Sequence, residues 1–358
     1  MITISLCMIV KNEEEVIERC LESIHELVDE INIVDTGSID QTKEIVKKYT
    51  DRVFDFQWID DFAAARNYSF QQATKEFILW MDADDIFTVE DQEKFKMLKQ
   101  SLHHSIDAVS MNYHLSFDSH GNVTSLLKRY RLVRKENGFK WIGAVHEYLS
   151  VSGNLYDSEV AVTHLPLGHD SDRNISIYKK LLESGKTLSP RDTFYYANEL
   201  VDHHNFEEAI HYYEEFLESK LGWIEDNISA CFKLADCYHR LNNKDKELSS
   251  TLKSFAYDVP RPEASCRLGY YFMEQYKNHE AIYWYSQALL YENPQLLSFQ
   301  NTKFSTWLPH LQLCVLYDRI KLYEKAYYHN EQARKYKATD INIINNKKYL
   351  EKILNKLI

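Results

Sequence analysis

Four segments in the second half of the chain repeat one signature: a large residue, a small one, then an aromatic or Leu three places on. They are Tyr196-Ala197…Leu200, Leu234-Ala235…Tyr238, Leu268-Gly269…Phe272 and Leu313-Cys314…Tyr317. Twelve residues after each small one come Ala209, Glu247, Ala281 and Ala326. Small residues at this spacing belong where two helices of one hairpin approach closely, with the aromatics filling the groove between hairpins. Glu247 makes the second copy degenerate, so three regular units are clearer than four; the competing reading is a generic helical bundle. Only 9 Gly and 6 Pro in 358 residues, against 25 Tyr, agree with long helices packed by rings.

The copies recur 38, 34 and 45 residues apart, around the tetratricopeptide period of about 34. Before residue 170 the pattern is different. Ile2–Val10 reads as a buried strand, and Glu14–Leu27 has helical apolar spacing at Val16, Ile17, Cys20, Leu21 and Ile24. Strands follow at Glu30–Val34, Arg52–Phe56 and Phe77–Met81, alternating with helices at Thr42–Tyr49 and Phe62–Ala73. Strand–helix–strand alternation predicts a parallel sheet with helices on both faces. Residues 108–165 read as an antiparallel meander, Ala108–Phe117 turning at 119–122 into Ser125–Arg134.

Charge and cysteine content narrow the class. Lys and Arg number 42 against 54 Asp and Glu, a net charge of -12, which disfavours a nucleic-acid coat or an anionic-membrane binder because both need a basic face. Six cysteines with no C-x-x-C pair read as reduced thiols in a cytoplasmic protein. The apolar start lacks a basic leader, and no run of about 20 apolar residues predicts a membrane span.

The acidic groups of the first half stand at the carboxyl ends of predicted strands, the edge where open parallel sheets bind ligands. Asp35 ends the second strand, and Asp82-Ala83-Asp84 ends the fourth, with Asp85 beside them. Two carboxylates flanking a small residue can hold a hard divalent cation and, through it, a diphosphate. Three carboxylates crowding one edge are unfavourable without a cation. Acidic turns are also common without any ion.

Val10-Lys-Asn-Glu-Glu14, Ile33-Val-Asp-Thr-Gly-Ser-Ile-Asp-Gln-Thr42, Asp61-Phe-Ala-Ala-Ala-Arg-Asn67 and Trp80-Met-Asp-Ala-Asp-Asp85 together resemble the family-2 glycosyltransferases of the GT-A fold. Trp141-Ile-Gly-Ala-Val-His-Glu147 and the repeat tail narrow the resemblance to bacteriocin peptide S-/O-glycosyltransferases of the sublancin type. It implies an α/β GT-A (Rossmann-like) nucleotide-sugar domain over 1–169 (donor half 1–100, acceptor half 101–169). A helical linker at 170–190 and an all-α tetratricopeptide-repeat solenoid at 191–358 would follow.

The resemblance also implies roles. Asn12 and Glu13 would border the nucleotide base, Asp35 would accept hydrogen bonds from uracil or ribose, and Ser38 would join the donor site or shape the turn with Asp40. Arg66 would reach the diphosphate or sugar, or pair with Asp60 or Asp84. Asp82 would touch ribose or sugar. Asp84 would bind Mn2+ or Mg2+, completed by His164 or His169, unless His164 is simply packed. Glu147 would be the catalytic base, or would instead orient His146 or pair with Arg131 or Arg134. The expected reaction is inverting, metal-dependent transfer from UDP-glucose or UDP-N-acetylhexosamine to a Cys or Ser/Thr side chain of a peptide or protein. The tail would bind that acceptor or dimerise. A lipid-linked or surface glycan acceptor and a non-catalytic scaffold are the competing readings.

Overall fold

The computed structural model describes residues 1–117, 121, 123–168, 171–291 and 300–357. These divide into two compact units that meet in sequence at Leu188 and Ser189.

The first unit follows the sequence order closely. β1 (Ile4–Val10), α1 (Ile17–Ile24), β2 (Glu30–Asp35), α2 (Thr42–Val46), β3 (Val53–Asp55), α3 (Phe62–Gln72) and β4 (Phe77–Trp80) alternate as expected. β1 lies between β2 and β4, and β2 pairs with β3, all in parallel. Apolar residues of β1 face both sides of the sheet and are almost wholly buried, as a strand covered on two faces requires. α3 starts where Asp61 caps it, its carboxylate accepting the Ala64 N–H at 2.9 Å.

Beyond β4 come β5 (Asp85–Ile86), α4 (Val89–Ser101), β6 (Ala108–Phe117), β7 (Val123–Arg134), β8 (Lys140–Ile142), β9 (Tyr148–Ser150), β10 (Leu155–His164) and α5 (Ser171–Glu183). β7 runs antiparallel to β4 and to β6, and β8 and β9 form a separate hairpin. The antiparallel meander expected over 108–165 holds only as far as β7. β10 pairs with β6 in parallel and with β5 antiparallel. The detour through β8 and β9 carries the chain back to the starting end, so β10 runs in the same direction as β6. Its pairing with β5 sets His164 opposite Asp85.

The second unit is a run of hairpins: α6 (Pro190–Asp202) with α7 (Phe206–Ser219), α8 (Ile224–Arg240) with α9 (Lys244–Lys253), α10 (Pro262–Glu274) with α11 (Asn278–Leu290), α12 (Trp307–Arg319) with α13 (Tyr323–Arg334), then α14 (Ile341–Leu357). Each hairpin turns through one left-handed residue, His204, Asn242, Tyr276 or Lys321, with φ between 56 and 60°. The next N–H reaches back to the carbonyl five residues earlier: Asn205 to Leu200, Asn243 to Tyr238, Lys277 to Phe272 and Leu322 to Tyr317, at 2.8–3.0 Å. This is the Schellman closure, and the four turns recur at the spacing of the sequence signature. Glu247 does not break its hairpin; it meets His239 Nδ1 at 3.1 Å. The small residues Ala197, Ala209, Ala235, Ala281 and Ala326 are fully buried.

Candidate active site

A cleft of about 1300 Å³ opens in the first unit, lined in part by Glu13, Arg66, Asp82, Asp84, Glu147 and His164. These six come from separate places: the loop after β1, α3, the turn between β4 and β5, the β8–β9 loop and the end of β10. The structure thus brings together six of the nine residues expected at the site. Asn12, Asp35 and Ser38 stand beside the cleft and build its neighbouring loops. Asn12, left-handed at φ 55°, donates its N–H to Ser38 Oγ at 3.0 Å and accepts the Ile39 N–H at 2.9 Å. Asp35 Oδ1 accepts the N–H groups of Gly37 and Ser38. Burial alone would raise its pKa, but these bonds and Lys43 hold it below the usual carboxylate value. Its other oxygen, Oδ2, is buried with no hydrogen-bond partner.

Arg66 is the hub of one half of the site. Its Nη2 donates to Asp82 Oδ1 at 2.6 Å and its Nε to Glu147 Oε1 at 2.5 Å, so its partners are neither Asp60 nor Asp84, and Glu147 pairs with neither Arg131 nor Arg134. The guanidinium lies 4.8 Å from the Trp141 ring centre and 5.1 Å from that of Trp80. Burial disfavours its charge, yet Asp82 and Glu147 keep it protonated. Asp82 is half-buried, its side chain 32% exposed; desolvation would raise its pKa, but Arg66 and Arg131 hold it down to about 2. The Glu147 loop is anchored by Phe62 N–H to Ala144 O at 2.9 Å and by Asn67, which bonds both N–H and C=O of Trp141. Gly143 (φ 102°) and His146 (φ 49°) make the turn.

The other half centres on His164. Its Nδ1 lies 3.4 Å from Asp84 Oδ1 and 3.3 Å from Asp85 Oδ1. Burial lowers its pKa, but the two carboxylates outweigh that and raise it to about 10. Asp84, Asp85 and His164 offer one ligand atom each within 4.8 Å of one another, a hard-donor set with a single imidazole that suits Mn2+ or Mg2+. His169 lies outside the described residues. Glu13 borders this group: burial, then Asp84 and Asp82, push its carboxyl up to about 7.

Two members of the site were not legible in sequence. Arg131, fully buried, pairs with fully buried Asp85 at 2.9 Å, so part of the carboxylate crowding is neutralised by the protein itself. Tyr113 places its hydroxyl 2.9 Å from both Asp85 Oδ1 and His164 Nδ1. Neither belongs to a motif; the only sequence signal is a charge and a hydroxyl on strands that face inward. α5 also lines the cleft through Asn174 and Ile177, and Tyr178 donates to Val145 O at 3.5 Å.

Residues 5–146 match the model of Glycosyl transferase family 2. Those residues form a family 2 glycosyl transferase domain. The chain is 28% identical over 232 residues to the prophage-derived glycosyltransferase SunS of Bacillus subtilis, covering 61% of this chain and 54% of that one. It is 43% identical over 90 residues to a tetratricopeptide-repeat-containing protein of Synechococcus elongatus, covering 25% of this chain and 22% of the other. The chain therefore spans between about a fifth and about half of the length of these curated relatives. Among solved structures, Staphylococcus aureus TarS 1-349 in complex with UDP-GlcNAc is 17% identical with a TM-score of 0.40, covering 71% of this chain and 91% of that one. The glycosyl transferase domain carries Asp35, Arg66, Asp82 and Asp84 inside the matched span. Among the described residues no helix is long and apolar enough to cross a membrane.

Proposed function

We propose that the protein is an inverting, metal-dependent glycosyltransferase that moves a sugar from a UDP-sugar to a Cys, Ser or Thr side chain of a peptide or protein. The observation that carries this reading is the convergence of Asp84 and His164 with the Asp82–Arg66–Glu147 ion-pair chain in one cleft. Its volume exceeds the roughly 300–1,000 Å³ usual for a small-ligand pocket, which leaves room for donor and acceptor together.

Asp84 and His164 would hold the divalent cation, which when bound supplies Lewis-acid stabilisation of the charge on the departing diphosphate. Asp35, with one buried oxygen unpartnered, accepts a hydrogen bond from the base or ribose. Asp82 meets the ribose or sugar, and Arg66 fixes both Asp82 and Glu147. Glu147 takes the proton from the acceptor through Oε2, the oxygen Arg66 Nε does not engage. The acceptor heteroatom bonds to the anomeric carbon as the bond to the diphosphate oxygen breaks; UDP leaves with that electron pair, and the opposite-face attack inverts the centre. The helical repeats grip the acceptor or pair two copies.

The test is release of UDP from a panel of nucleotide sugars with Mn2+, Mg2+ or EDTA, beside Asp84→Ala. Metal-dependent release that vanishes in the variant supports the reading and names the donor. No turnover and no metal-dependent UDP binding would leave a non-catalytic scaffold.

A further inference from the structure

We propose that Tyr113 is the positioning residue of His164: clamped by Asp85 and Arg131, its hydroxyl fixes the imidazole so that Nε2 is the nitrogen left to meet a divalent cation. The inference rests on the metal-dependent reading above and goes beyond it in assigning Asp85 away from the cation.

The Tyr113 hydroxyl has one proton and two neighbours at 2.9 Å, Asp85 Oδ1 and His164 Nδ1. An ionised carboxylate only accepts, so the proton points to Asp85 and the phenolic oxygen is left to accept from His164. Nδ1 must then carry hydrogen. Its other near neighbours, Asp85 Oδ1 at 3.3 Å and Asp84 Oδ1 at 3.4 Å, are also acceptors, and a lone pair aimed among three oxygens would be repelled. The lone pair available for a cation is therefore on Nε2, since the bond at one imidazole nitrogen decides which nitrogen is metallated.

Asp85 is closed on both sides. Its Oδ2 accepts from Arg131 Nη1 at 2.9 Å and from the Asp82 N–H at 3.1 Å, its Oδ1 accepts from Tyr113, and neither Asp85 nor Arg131 is exposed. A carboxylate so engaged has little left to offer an ion, although its atoms stand as near as those of Asp84. Arg131 also holds the Tyr113 ring, its guanidinium carbon 4.3 Å from the ring centre. The chain Arg131–Asp85–Tyr113–His164 thus orients one ligand without touching the cation.

Mn2+ is titrated calorimetrically into the full chain, wild type beside Tyr113→Phe and Asp84→Ala. Phe keeps the ring against Arg131 and removes only the hydroxyl. The expected result is Mn2+ binding in the wild type that is lost in Asp84→Ala and weakened about ten- to a hundredfold in Tyr113→Phe, while metal-free UDP binding is unchanged. Tyr113→Phe binding Mn2+ as tightly as wild type overturns the inference alone. Wild type that binds no Mn2+, or Asp84→Ala that binds it as well, overturns the metal reading and the inference with it. If the Phe variant fails to fold, nitrogen NMR of histidine-labelled wild type loaded with cadmium decides: coupling at Nε2 of His164 supports the inference, and coupling at Nδ1 overturns it.

Discussion

Arg66 and Glu147 form an ion pair of 2.5 Å although 81 residues separate them in the chain. Asp82 shares the same guanidinium, so a strand end and the β8–β9 loop are tied through one side chain of α3. Glu147→Gln keeps the shape of this junction and leaves Arg66 its Asp82 partner, but removes the candidate base. Turnover is expected to fall about 10²- to 10⁴-fold with UDP binding preserved. Steady-state kinetics beside UDP calorimetry check this, and wild-type turnover in Glu147→Gln would place the base elsewhere.

Arg131→Met removes the positive half of a wholly buried pair and strands Asp85. Leaving such a charge uncompensated costs about 3–5 kcal/mol, read as a lower urea midpoint of the full chain. A variant as stable as wild type would mean that Asp85 takes up a proton or finds another partner.

Gly269 faces the Tyr285 ring across its hairpin so closely that an added Cβ would stand 2.7 Å from the ring. Gly269→Ala is expected to destabilise by about 1–3 kcal/mol through overpacking. In the turn of the same hairpin, Tyr276 sits at φ 59°, a conformation that costs an ordinary residue about 1–2 kcal/mol. Tyr276→Gly is expected to raise thermal stability, the opposite sign from Gly269→Ala on the same unit.

Glu30 gives the acid dependence a definite sign. Burial pushes its pKa up, but bonds from Thr74, Asn32 and Ser5 overcome that and bring it down to about 2. The unfolded chain, with an ordinary carboxyl near 4.5, binds the proton first, so this stabilisation is complete above that pH and drains away as pH falls toward 2. Glu30→Gln should flatten stability against pH in that window, and an unchanged slope in urea titrations would assign the acid dependence to other carboxylates.

The strand ends carrying Asp35, Asp82 and Asp84 were legible because an apolar run stopping at an acid marks where a buried strand of a parallel sheet reaches its carboxyl edge. The hairpins were legible because close helix contact forces small residues at a fixed offset. The parallel docking of β10 was hidden, since no helix between β9 and β10 signals a crossover. Arg131 and Tyr113 were hidden for another reason: a charge or hydroxyl on a strand looks the same whether it faces water or a buried partner, and only the fold says which. The partner of Glu147 lay open among three candidates, and the fourth, Arg66, depends on how α3 meets the β8–β9 loop.

The family match ends at residue 146, one short of Glu147 and before the whole of β10. A fragment trimmed to that boundary would keep the recognisable motifs while losing the candidate base and His164. It would also strip β6 and β5 of the strand that pairs with both, and exposed strand edges invite aggregation. The end of the family match is therefore not a place where the polypeptide can be cut with its sheet and its cleft left whole.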